Sequence, residues 1–366
     1  MFVSNPKSNI VIGAQLEKAR KMLVLTVKEV AEETHFSAKQ IDNWEMGVSQ
    51  PGLQELEMLA NLYGREIDYF LRETPNPPTG IKFRGKPGES LQHLSKDTKI
   101  VLARFDELCR AAVEFEELLG KKREVKLSMV SASVPARIEA RRIRERYNLE
   151  DKPIVDLRAL LDNAGVRIFE ATIPNDELSG FSFWHKQYGP CILVHAKDII
   201  GRRNFTLAHE LAHLLYGHGT SVCYIPSNII DVHERIEHKA NQFAAELLLP
   251  ETGIVNDFKK RNLPRKPTEK QFRQMSIKWG VSIQALGYRL EKLGLVDVGL
   301  TNKIIESRRA YFRRPKTPTW ERRLGKSFVG TSIEAYQNNL ISVGKLAHVL
   351  QIPIRKAMEI AEITGR

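Results

Sequence analysis

Phe205-Thr-Leu-Ala-His-Glu-Leu-Ala-His-Leu-Leu-Tyr-Gly-His218 is the stretch that decides how the chain is read. Its apolar residues Phe205, Leu207, Ala208, Leu211, Ala212, Leu214 and Leu215 recur at helical spacing. Thr206 is the expected cap at the start, and Gly217 the expected stop. Inside the helix lies H-E-x-x-H, formed by His209, Glu210 and His213. Residues four apart on a helix share one face, so both imidazoles can reach a single ion. Glu210 is offset from that pair, too far round to join it as a ligand. A carboxylate in that place can take a proton from water as a general base. Two imidazoles and a carboxylate inside an otherwise apolar helix are costly unless something satisfies them. The pattern therefore predicts a bound metal.

Two histidines rarely hold a catalytic zinc alone; three protein ligands and a water are usual. Downstream candidates are His218, His233, Glu234, Glu237, His238 and Glu246. The run from Arg235 to Pro250 is a second helix, with Ile236, Ala240, Phe243, Ala244 and Leu247 as its apolar stripe. Spacing puts Glu237 modestly ahead of Glu234 and His233. Asn241 shares a face with Glu237 and is expected to orient it or a helix neighbour.

The 366 residues allow two or three domains. A hydrophobic fraction of 42% and a charged fraction of 27% are those of a soluble globular chain. The net charge of +12, from 56 basic and 44 acidic residues, fits a polyanion partner or plain solvated lysines. Cys109, Cys191 and Cys223 are far apart and odd in number, which suggests no disulfide framework and a reducing compartment. No apolar run approaches the ~18 residues of a membrane span, and the first residues form no apolar signal core. A cytoplasmic protein without a membrane partner is expected.

Residues 10 to 72 read as a run of short helices. Ile12, Leu16, Ala19 and Arg20 open the first. Thr26 can cap the second, over Val27 to Thr34, and Phe36-Ser37 starts the third, over Ala38 to Met46. Pro51-Gly52 precedes a fourth, over Leu53 to Tyr63. Two short helices joined by a tight turn are a helix-turn-helix. The residues Leu25-Thr26, Val30-Ala31, Phe36-Ser37, Ile41, Trp44-Glu45, Gly47, Pro51 and Leu59-Ala60 resemble the XRE-type helix-turn-helix domain. That resemblance implies double-stranded operator DNA as partner, read by a homodimer on a two-fold site. It places Ile41 and Trp44 in the small core, and Lys39, Gln40 and Asn43 outward at the groove. One departure is Val27, where the family often has glutamine; it weakens the implied phosphate contacts there.

Residues 75–80 and 85–88 have linker composition. A helical period returns from Ser95 to Gly120 as a bridging or dimerising helix. Ile138 to Tyr147 reads as an amphipathic helix with an arginine-rich outer face, and another helix runs from Pro153 to Gly165. Val166 to Phe169 is a strand candidate. Gly180 to Trp184 and Cys191 to His195 look like a hairpin just before the H-E-x-x-H helix. Residues 268 to 295 again read as two helices around Gly280-Val281-Ser282, with packing or protein recognition favoured over DNA binding. Arg308-Arg309, Arg313-Arg314, Lys316, Arg322-Arg323 and Lys326 make a basic stretch, either touching phosphates or solvated. Ser342 to Ile363 closes the chain with helical periodicity.

The segments H-E-L-A-H and E-x-x-x-N-x-F-A-A-E-L-L-L-P resemble the ImmA/IrrE metallopeptidases, as do Leu178 to Phe181 and Trp279 to Leu290. The likeness spans about residues 135 to 300. It implies one Zn2+ per chain, with Mn2+ as an alternative, held by His209, His213 and Glu237, with Glu210 as catalytic base. It implies a protein substrate of repressor or antitoxin type. His218 reads as structural. Gly180, Phe181, Ser182, Phe183 and Trp184 form a candidate strand for pairing with that substrate.

The fold expected is mainly α with a small β-sheet. A helix-turn-helix domain spans 1–74 and a linker with its bridging helix 75–130. An α+β zincin-like peptidase domain spans 131–300, and a basic, helical extension 301–366. The function expected is a DNA-binding transcriptional regulator with a zinc peptidase domain. The alternative is a non-enzymatic repressor or antitoxin whose metal site is structural or vestigial; the intact Glu210 argues against it.

Overall fold

The computed structural model describes residues 6–71, 94–217, 221–223, 232–308 and 318–364. The predicted linker, His218, and the basic run from Arg309 to Lys316 lie outside these residues. The chain divides into two units, 1–112 with 173–177, and 113–172 with 178–366.

In the first unit, caps set the helix boundaries. α1 (Pro6–Met22) is followed by α2 (Val27–Thr34), which begins at Thr26 in a capping box with Glu29. α3 (Ala38–Glu45) begins at Ser37 in a second box with Gln40. α4 (Leu53–Tyr63) ends on Gly64 in the left-handed region, where a residue without Cβ is least strained. α5 (Ile67–Leu71) and most of α6 (Lys96–Leu118) complete the unit. Its core joins Leu16, Val30, Ile41, Trp44, Leu59 and Phe70. Ile41 and Trp44 point inward, as expected.

The second unit is a small sheet surrounded by helices. α7 (Ala136–Arg146) and α8 (Leu157–Asn163) lead into β1 (Arg167–Ala171), then the hairpin β2 (Gly180–His185) and β3 (Gly189–His195). α9 (Ile200–Leu215), β4 (Ser221–Cys223) and α10 (Val232–Leu248) follow. The strand order is β1-β3-β2-β4; β1 runs parallel to β3, and the other pairs are antiparallel. α11 (Glu251–Lys260), α12 (Glu269–Trp279), α13 (Ile283–Lys292) and α14 (Leu300–Arg308) continue the chain. α15 (Trp320–Leu324), α16 (Lys326–Gln337), α17 (Val343–Leu350) and α18 (Ile354–Thr364) close it. The main core runs from Ile143, Leu161 and Ile192 through Leu207, Leu211 and Leu215 to Phe243, Leu247, Trp279 and Leu286.

One sequence expectation is corrected here. Thr206 does not cap α9: the helix starts six residues earlier at Ile200, and Thr206 is buried within it. The polar Gly201-Arg-Arg-Asn204 run looks like a loop, yet Gly201 seats against the Val281–Ser282 backbone. A Cβ there would come within 2.3 Å of it. Asn204 also donates its amide to Gly280 O at 2.8 Å. Nor do all the arginines of α7 lie on its outer face. Arg144 is buried and donates to the carbonyls of Leu149, Glu150, Lys152 and Leu247, and loss of water pushes its pKa down to about 10.

Glu246 is removed from the ligand candidates by a buried pair: Arg289 Nη1 and Nη2 donate to its two oxygens at 2.8 and 2.7 Å. Arg289→Met would strand that carboxylate and is expected to cost about 3–5 kcal/mol. Adding Glu246→Leu should return most of the loss, as read from urea unfolding midpoints.

Candidate metal centre

Three donors converge where α9 lies against α10. His209 and His213 come from successive turns of α9, and Glu237 comes from the first half of α10. Their ligand atoms all lie within 4.8 Å of one another. The two Nε2 atoms are 2.9 Å apart. Glu237 Oε2 is 3.1 Å from His209 Nε2, and its Oε1 is 3.4 Å from His213 Nε2. The imidazoles are buried, whereas the Glu237 side chain is 39% exposed, so the cluster has one side open to solvent.

Asn241 sets the orientation of His209. Its Oδ1 lies 3.0 Å from His209 Nδ1. An amide oxygen only accepts, so the ring proton is assigned to Nδ1 and the Nε2 lone pair faces the cluster. The sequence paired Asn241 with Glu237 through their shared face; the crossing of the two helices gives it the histidine instead.

Two imidazole nitrogens facing each other at 2.9 Å need a cation or a proton between them. A tetrahedral zinc with Zn–N bonds of ~2.0–2.1 Å would hold two nitrogens about 3.3 Å apart. Two imidazoles and one carboxylate are also a ligand set of zinc sites that keep a position open for water. The residues fit a divalent ion.

The Glu210 carboxylate lies against β2. It is fully buried, at 0% exposure. Ser182 Oγ donates to its Oε2 at 2.5 Å, while Oε1 has no hydrogen-bond partner. Loss of water is the largest influence on the carboxyl and raises its pKa from 4.5 to about 7; His209 and Ser182 pull the other way, and Glu237 adds to the rise. Gly180 makes room for this group. A Cβ there would meet Thr206 Cγ2 at 2.5 Å and Glu210 Oε1 at 2.8 Å. The sequence offered one clue to both roles: Ser182 interrupts Phe181 and Phe183, which fill the opposite face of β2.

Residues 161–291 match the M78 peptidase family model described as the IrrE N-terminal-like domain, and residues 13–74 match one described as a helix-turn-helix domain. One stretch of the chain is thus similar to a helix-turn-helix domain and another to the IrrE N-terminal-like domain. No curated protein matches the chain significantly. The IrrE-like match encloses the whole centre from Gly180 to Asn241, and the other match covers the helices that carry Lys39, Gln40 and Asn43. The two matches support a DNA-binding regulator with a metallopeptidase-like domain.

The remaining site expectations fall in two places. On α3, Lys39 and Gln40 are exposed and Asn43 is half-buried. Gln40 Oε1 is already engaged, accepting from Ser37 N at 3.0 Å and Ser37 Oγ at 2.9 Å to close the capping box. On the sheet, the edge of β2 assigned to an incoming strand is taken over Gly180, Phe181 and Ser182 by β4. Phe183 and Trp184 lie beyond that pairing.

Two stability changes test the IrrE-like centre. Gly180→Ala is expected to lower unfolding free energy by ~1–3 kcal/mol, the usual cost of overpacking. Thr206→Ser in the same chain should return part of it by removing Cγ2, as read from denaturant midpoints. The second test concerns Glu210 in metal-free protein. Its folded pKa is raised, so its contribution to stability is present below about pH 4.5 and lost as pH rises towards 7. Glu210→Gln has no such loss. Metal-free Glu210→Gln should therefore gain on the parent chain across that window, by on the order of 3 kcal/mol, in thermal melts run as a pH series.

Proposed function

We propose that the chain is a DNA-binding transcriptional regulator whose IrrE-like domain is a Zn2+-dependent endopeptidase cutting a repressor or antitoxin-type protein. The observation that carries this reading is the convergence of His209, His213 and Glu237 beside a fully buried Glu210 whose Oε1 lacks a partner. A purely structural zinc site closes with four protein ligands and has no use for a base. Among the described residues three donors converge, and the adjacent carboxylate is kept basic by burial. That combination disfavours the non-enzymatic alternative.

A zinc ion held by His209, His213 and Glu237 would polarise the scissile carbonyl and acidify water, and Mn2+ could take the same donors. Glu210 takes the proton of the attacking water and passes it to the leaving amine. Loss of water around Glu210 raises its affinity for a proton, which suits it to both transfers. Ser182 fixes one oxygen of Glu210, so the other is the one that exchanges the proton. Asn241 keeps His209 in the tautomer that ligates. An extended substrate segment would pair with β2 beyond β4, at Phe183 and Trp184.

The remaining assignments rest on the helix-turn-helix match and on charge. Lys39, Gln40 and Asn43 meet operator DNA, with the protein as a homodimer on a two-fold site in the cytoplasm. We keep the division into 1–74, 75–130, 131–300 and 301–366 as functional segments. Joining reader and peptidase in one chain raises the local concentration of enzyme near a DNA-bound target.

The test compares chain termini across the proteome of cells making the parent chain or Glu210→Gln. New protein termini should appear with the parent and fall by about 100-fold or more with the variant. Elemental analysis of the purified proteins should give one zinc per chain for both, and its loss in His213→Ala. Equal termini from the two chains would sink the peptidase reading.

A further inference from the structure

The turn between α2 and α3 recurs at the end of the chain. α2 and α17 are both eight residues long and both start at a hydroxyl cap. Glu29 N donates to Thr26 Oγ1 at 3.2 Å, and Lys345 N to Ser342 Oγ at 3.2 Å. Each helix is followed by a residue in the left-handed region, His35 (φ 61°) and Gln351 (φ 56°). A half-buried apolar residue comes next, Phe36 and Ile352. The following residue then starts the second helix: Ile41 N donates to Ser37 O at 3.2 Å, and Ala357 N to Pro353 O at 3.1 Å. Buried positions coincide as well, with Val30, Thr34 and Ile41 matched by Leu346, Leu350 and Ala357.

The same turn occurs once more among the described residues, as Gly280 (φ 65°), Val281 and Ser282. There the second helix is covered on its inner side, and the exposed residues of its first two turns, Gln284 and Tyr288, carry no positive charge. Thr301 of α14 packs on Gly287 of α13, and Arg289 is paired with Glu246 of α10. α18 differs. Pairs with α16 and α17 bury one side, while Ile354, Arg355, Lys356, Met358 and Glu359 remain exposed. Arg355 and Lys356 hold the first-turn positions that Lys39 and Gln40 hold in α3. Residues 301–366 carry 13 Lys and Arg against five Glu, a net +8 of the chain's +12.

We propose that α17 and α18 form a second DNA-reading helix-turn-helix, with the first turn of α18 set into the major groove of duplex DNA. Arg355 and Lys356 meet backbone phosphates, and Ile354 and Met358 offer apolar contact to thymine methyl groups. The Arg355–Glu359 ion pair, 3.3 Å long and exposed, is weak enough to open for this. Glu359 can accept from a cytosine amino group. α17 and α18 carry Lys345, Arg355 and Lys356 against Glu359 and Glu362, and the placement of Arg355 beside Lys356 on the exposed first turn of α18 favours a polyanion. This second reader does not depend on the metal centre.

The test titrates the full chain with a labelled duplex of random sequence across a salt series. Arg355→Ala with Lys356→Ala is expected to make log K against log salt shallower by about 2, as loss of two phosphate contacts requires. Introduced into a Lys39→Ala, Asn43→Ala chain, the same pair should weaken the remaining duplex binding further. Arg355→Lys should keep the parent slope. Circular dichroism should be unchanged, since both positions are exposed. An unchanged slope in the double variant overturns the proposal. So does an altered mass by light scattering with DNA binding intact, which would make α18 a protein-docking face.

Discussion

The contact on which the peptidase-like unit depends is the close approach of β2 to α9 around the Glu210 carboxylate. An acid with no exposure and one unpartnered oxygen is expensive to hold. The fold offsets part of that cost with one short hydrogen bond from Ser182. The rest is carried by packing: Ala208, Leu211, Ala212 and Leu215 lie in the main core on either side of the acid. Nothing larger than glycine fits at position 180 while the carboxylate stays in place. The strand and the helix therefore fix each other's position through a group that contributes nothing to stability by itself. A cost of this kind, kept at a residue beside the ligand pair, is what a reactive site requires and a scaffold does not.

The candidate ligands follow a similar division of labour. α9 supplies its two imidazoles from one face, a local consequence of four-residue spacing. α10 supplies the acid and the amide, and their usefulness depends on how it crosses α9. Glu237 reaches both Nε2 atoms only because the crossing brings the first half of α10 over them. Asn241, one turn further on, then falls beside the back of His209 rather than beside Glu237. A helix that positions one ligand thereby orients another.

Local chemistry was legible in the sequence, and chemistry across elements was less so. The bounds of α2 and α4 follow from Thr26, from Gly52 and Gly64, and from apolar spacing. The hairpin before α9 follows from Gly189-Pro190 and its flanking runs. Spacing gave His209, Glu210 and His213 outright, yet it left Glu237 only slightly ahead of its neighbours. What brings Glu237 to the pair is the distance between two helices, and the side chains of His233 and Glu234 lie outside the described residues. Thr206 was misread because the residues before it are polar. What turns Gly201-Arg-Arg-Asn204 into helix is the α12–α13 turn packed against it, a partner far along the chain. The inward turn of Arg144 is hidden for the same reason: its carbonyl partners include Leu247 on another helix. Ser182 was placed on the right strand, but its bond to Glu210 was not legible, because periodicity says which face a residue lies on and not what waits there.

The repeated turn makes the same point in reverse. Three helix pairs share a left-handed residue, an apolar residue and a helix-starting residue in that order. Local sequence alone is enough to build each of them. Their uses diverge according to what covers the second helix. In the middle pair, Arg289 and Gly287 are consumed by α10 and α14, and the turn itself is clamped by Asn204. The residues its first two turns leave to solvent, Gln284 and Tyr288, bring no positive charge to a phosphate backbone. The outer two leave the first turn of the second helix to solvent, with Lys39 on one and Arg355 and Lys356 on the other. A fold motif therefore carries no function until its neighbours are counted, and exposure of charged first-turn residues separates a DNA reader from a packing element built on the same backbone.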